Sequence, residues 1–71
     1  MNIDKLITMA NQIADNFAAY PDEMATKKVA SHLGEFWEKR MLTGLYNYVK
    51  TDGSQTNALV RKATKVLMEK V

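Results

Sequence analysis

Two helical hydrophobic stripes meet out of phase across Phe36-Trp37-Glu38-Lys39-Arg40-Met41, and no other feature constrains the fold as strongly. Upstream, Ala25, Val29, Leu33 and Phe36 recur at helical spacing; downstream, Met41, Leu42, Leu45, Tyr48 and Val49 do the same. At about 100° per residue the centres of the two stripes are rotated by well over 90°. One straight helix cannot bury both, so a break or sharp kink is predicted between Phe36 and Lys39. By this count Phe36 and Met41 point inward on their respective helices and Arg40 points out. Trp37, the sole tryptophan, lies between, able to finish a core or to meet a partner.

The flanking segments repeat the helical period. Ile3, Leu6, Ile7, Ala10, Ile13, Ala14 and Phe17 form one stripe of a helix predicted over residues 3–19. Asn2 can cap it and Asp4 places negative charge at its positive end. Asn11 lies at the flank of this stripe and Gln12 nearly opposite, while Met9 and Tyr20 extend the other edge. Pro21 stops this helix, because the residue before proline is pushed out of the α region, and suits the first position of the next, predicted over 22–36. A third helix is predicted over 38–51, with Lys39, Arg40, Thr43, Asn47 and Lys50 on its polar side. Asp52-Gly53-Ser54 reads as a helix end with Gly53 in the left-handed conformation. Thr56 or Asn57 can cap a last helix over 57–70, with Leu59, Val60, Ala63, Val66, Leu67 and Val71 as its stripe. Gly34 is expected to admit a neighbouring backbone. No stretch alternates with period two. The expectation is all-α: a compact bundle of about four short helices in one domain spanning residues 1–71.

Seventy-one residues support only a small core, and the chain has no cysteine to staple it by disulfide or thiolate metal site. His32 is its one histidine, expected as a core-edge imidazole hydrogen-bonded to backbone. Asp22 and Glu23 are helix-dipole partners, since adjacent helical residues do not face each other. Gly34, Gly44 and Gly53 fit no phosphate-binding fingerprint. No catalytic, cofactor-binding or metal-ligating residue is assigned. A net charge of +2 with scattered basic residues reads as a solvated mixed surface, and no apolar run approaches a membrane span. The start of the chain lacks secretory features, so a cytoplasmic location is expected. The composition around Trp37, Arg40 and Met41, with Tyr20 and Tyr46 at other stripe borders, is that of protein interfaces.

Met9-Ala10-Asn11-Gln12-Ile13-Ala14, Phe17, Tyr20-Pro21, His32-Leu33, Phe36-Trp37, Arg40-Met41, Leu59-Val60-Arg61 and Ala63 together resemble the small delta subunit of the soluble NAD-dependent formate dehydrogenases. That family usually reads Asp-Pro after the Phe-Trp pair, where this chain has Glu38-Lys39. The resemblance implies a cytoplasmic complex that oxidises formate and passes electrons to NAD. Its large alpha subunit would hold a molybdenum or tungsten bis-pterin guanine dinucleotide, linked through iron–sulfur clusters to FMN. The small subunit would bind none of these, and would associate with the alpha subunit to support assembly or cofactor insertion.

The expected function is therefore a non-catalytic accessory subunit, with Asn11, Gln12, Tyr20, Trp37, Arg40 and Met41 as the candidate contacts to the alpha subunit. Two alternatives stand beside it. One is a small helical DNA-binding regulator using the Arg61-Lys62-Lys65 face, although such a face is ordinarily a solvated one and the leading expectation is no nucleic-acid partner. The other is a self-associating bundle, because an isolated subunit with a small core can form a homodimer through its partner-facing surface.

Overall fold

The computed structural model describes residues 2–69. It comprises helices α1 (Ile3–Phe17), α2 (Asp22–Phe36), α3 (Lys39–Thr51) and α4 (Ala58–Glu69), with no strand among the described residues. The all-α bundle predicted from the stripes is what forms. Asn2 caps α1 as expected, its Oδ1 accepting a hydrogen bond from the Asp4 amide at 2.8 Å. That helix ends two residues early. Ahead of Pro21 the chain tightens, with the Ala18 amide bonding to the Asp15 carbonyl and Tyr20 to Phe17, the i to i+3 pattern that closes a last turn. Pro21 occupies the cap of α2 rather than its first helical position, at φ −54° and ψ 147°. Its carbonyl opens the helix by accepting from Ala25 at 2.8 Å.

The α3–α4 connection follows its sequence signals. Gly53 has φ +71°, a conformation open to glycine at little cost. Asn57 is the cap of the two candidates, accepting from the Val60 amide at 2.9 Å, while the Thr56 hydroxyl donates to the Gly53 carbonyl at 2.7 Å. Lys70 and Val71, the latter expected in the last stripe, lie outside the described residues.

A single cluster fills the centre: Leu6, Ala10 and Ala14 from α1, Val29, Ala30 and Leu33 from α2, Leu45 from α3, Val60 and Ala63 from α4, and Trp37. Alanines let the helices approach closely, and Gly44 extends this. A Cβ on Gly44 would lie 3.1 Å from Leu6 Cδ1, so α3 rides directly on the first turns of α1. Gly34 does not admit a backbone as expected; a Cβ there would meet only the Leu67 side chain, at 3.4 Å. Thr26 and Thr64 are buried as well, at no polar cost, because each hydroxyl returns to the carbonyl four residues back, at 2.9 and 2.7 Å. α1 and α4 each pack on both α2 and α3 and also touch each other, whereas α2 and α3 meet only weakly.

The corner between α2 and α3 reverses one expectation. The predicted break is there, with Trp37 (φ −92°, ψ 138°) and Glu38 (φ −68°, ψ 155°) both extended. Phe36, however, faces outward and is 69% exposed, while Trp37 is 8% exposed and completes the core. Two causes combine. Burial of Thr26 and Ala30 shifts the centre of the α2 seam toward Leu33, leaving Phe36 about 50° off it. Trp37 has left the helix, so its direction is set by extended backbone and no longer by helical phase. The neighbouring aromatics thus point opposite ways.

Candidate functional site

Phe36 is one end of a strip of rings along α1 and α2. His32, one turn earlier, lies beside it with ring centres 4.8 Å apart. The imidazole also meets Phe17 at 6.4 Å, and Phe17 meets Tyr20 at 6.1 Å, all in tilted arrangements of the kind aromatic quadrupoles favour. Lys28 Nζ sits 4.8 Å from the Tyr20 ring centre, within cation–π range. Tyr20 is 44% exposed and Met24, on the same side of α2, 48%; Phe17 and His32 are half-buried. The row is local in origin: Met24, Lys28, His32 and Phe36 are four residues apart and stack along one ridge of the helix. His32 lies at the border of the core as expected, but it packs between the rings of Phe17 and Phe36 in place of the expected backbone hydrogen bond. Phe36, Met24 and Tyr20 are the most exposed side chains of this strip.

The predicted contact residues distribute unevenly about this strip. Tyr20 forms its far end. Arg40 is exposed just past the corner, and Met41 is half-buried behind it. Gln12 is exposed but lies roughly 140° around α1 from Phe17, away from the rings. Asn11 holds the fold together instead, since its Nδ2 donates to the Gln55 carbonyl at 2.9 Å and its Oδ1 accepts from the Asn57 amide at 3.0 Å. It thereby pins the α3–α4 connection to α1, helped by Tyr48 Oη, which accepts from the Gln55 amide at 2.8 Å. Trp37 is buried in the core beside the exposed Phe36 and offers little surface for contact. Phe17, Lys28, His32 and Phe36 were not among the predicted contacts, although the four-residue spacing of the α2 ridge marks three of them.

The basic face of α4 is partly occupied. Arg61 donates to the carbonyls of Gly53, at 3.1 Å, and of Thr56, and Lys62 pairs with Asp22 of α2. Two of its three cations thus serve the bundle itself. Among the described residues no three His, Cys, Asp or Glu side chains converge as a metal site requires, and no helix is long and apolar enough to cross a membrane.

Fold and surface together define a class: a small all-helical protein with an exposed row of aromatic side chains. The family model described as NADH-dependant formate dehydrogenase delta subunit FdsD matches residues 5–64. The chain belongs to that family, and so to the subunits of a formate dehydrogenase complex. No curated protein and no solved structure matches it.

Proposed function

We propose that this chain is a non-catalytic accessory subunit that docks on the large catalytic subunit of a cytoplasmic NAD-dependent formate dehydrogenase and supports its assembly or cofactor insertion. The observation that carries the docking is Phe36, a large aromatic side chain left 69% exposed at the end of a strip of rings. The contact runs along Tyr20, Phe17, His32 and Phe36 and ends at Arg40 and Met41. Burying one large aromatic side chain releases roughly 1.5–3 kcal/mol, so Phe36 at the centre of a contact would act as an anchor. The molybdenum or tungsten bis-pterin guanine dinucleotide, the iron–sulfur clusters, FMN and the NAD site belong to the other subunits.

The test is co-expression of the tagged chain with the remaining subunits, followed by size-exclusion chromatography. The large subunit is expected to co-elute with the chain, and complex made without the chain is expected to hold less molybdenum or tungsten. Elution of the chain apart from the large subunit, as monomer or self-dimer, would overturn the docking. Undiminished metal content and activity in complex made without it would overturn the assembly role.

A further inference from the structure

The outer face of α3 carries a second feature, made of different residues. Charge is segregated along the fold: residues 3–36 hold five carboxylates and three lysines, whereas residues 37–69 hold three carboxylates and six cations. The extreme is α3, whose Lys39, Arg40 and Lys50 stand without one acidic residue. Along its outer face runs an open groove of about 600 Å³, floored by Leu42 and Tyr46 with Met68 contributed by α4, and bounded by Lys39 and Lys50. The two lysines are eleven residues apart. Three helical turns bring them to within about 20° of the same line, roughly 16 Å apart along the axis. Neither has an ion-pair partner among the described residues, where the pairs are Lys27–Glu23 and Lys62–Asp22. The Tyr46 phenol, its pKa raised by burial, is neutral near pH 7 as any tyrosine is, so the floor of the groove carries no charge.

We propose that this groove is a second docking site, and that it takes an amphipathic helix of a protein partner whose carboxylates flank an apolar row. The chemistry selects that occupant. Two positive ends about 16 Å apart match carboxylates three turns apart on a facing helix, and the apolar floor between them matches the side chains that such a helix presents. A nucleic acid is the poorer match, because its phosphates are continuous and the lysines of this groove stand at its two ends, with Leu42, Tyr46 and Met68 on the floor and the uncharged Thr43 and Asn47 beside them. The groove lies on α3 and α4 and the aromatic rings on α1 and α2, and α2 and α3 meet only weakly. A chain with both faces engaged would bridge two partners. The proposal does not depend on the proposed docking of the aromatic strip.

The probe is a synthetic 18-residue helical peptide with two Glu eleven positions apart and Leu on the same face between them, alongside its twin with Lys at those two positions. Amide shifts of the folded chain are followed by NMR during titration. The Glu peptide is expected to shift residues of α3 together with Met68, and to bind about tenfold more tightly than the Lys peptide. In the Lys39→Glu, Lys50→Glu double variant the preference is expected to reverse. In Lys39→Gln, Lys50→Gln it is expected to disappear. Both positions are exposed, so each variant folds, as circular dichroism would verify. Equal affinity for the two peptides, shifts confined to the aromatic strip, or displacement of the Glu peptide by a short DNA duplex acting on the same lysines would each overturn the proposal.

Discussion

Trp37→Ala and Phe36→Ala should separate two adjacent aromatic residues by several kcal/mol. An aromatic side chain buries about 150–250 Å² when fully enclosed, and Trp37 is 8% exposed. At about 25 cal/mol per Å² this is worth roughly 5 kcal/mol, reduced to about 4 when the compactness of the unfolded chain is allowed for. Phe36 is 69% exposed. The third that is covered, mostly against His32, is worth about 1 kcal/mol on the same scale. A domain of this size holds roughly 4–10 kcal/mol in total, so Trp37→Ala should remove close to half of it or more. Thermal and urea unfolding followed by circular dichroism at 222 nm reads both variants without needing the tryptophan. Phe36→Ala is expected to lower Tm by no more than about 8 °C, and Trp37→Ala by about 16 °C or more, or to prevent folding outright. Comparable losses in the two variants would refute the outward turn of Phe36 and the burial of Trp37 beside it.

Other expected outcomes follow from single contacts. Asn11→Ala removes both bonds that hold the α3–α4 connection to α1, and is expected to cost about 1–3 kcal/mol in thermal unfolding; an unchanged Tm would mean the pin is not stabilising. Gly53→Ala forces an L residue to φ +71°, with its Cβ 3.3 Å from the Val49 carbonyl, and should destabilise by about 1–2 kcal/mol. Gly34→Ala should do the opposite, raising stability by about 0.5–1 kcal/mol, since the added methyl meets Leu67 at an ordinary 3.4 Å. The raised Tyr46 pKa means that above about pH 10 the unfolded chain loses this proton before the folded one does. Stability should therefore fall as pH rises past that point, with a shallower fall in Tyr46→Phe. Equal slopes in the two proteins would remove Tyr46 from the alkaline transition.

The sequence and the structure agree wherever helical period and local caps decide the outcome. Asn2, Asn57 and Gly53 act within a few residues of themselves, and the stripes of α1, α3 and α4 are recovered nearly whole. Phe36 and Trp37 diverge because counting at 100° per residue holds only while the backbone is helical, and the helix ends between them. Thr26 and Thr64 look polar by composition but are buried, their hydroxyls satisfied by their own helices. Asn11 looks like a surface amide because its partners, Gln55 and Asn57, are more than forty residues away. The aromatic strip was half legible. Its α2 ridge is written at four-residue spacing, whereas its contact with Phe17 of α1 comes only from the packing of two helices.

Hydrogen–deuterium exchange on the assembled complex, compared with the isolated chain, tests the docking face most directly. Slowed exchange at the end of α1 and the turn that follows it, in residues 17–20, and along residues 32–36 of α2 is the predicted footprint on binding the large subunit. Unchanged exchange in both segments, within a complex that contains the chain, would contradict it.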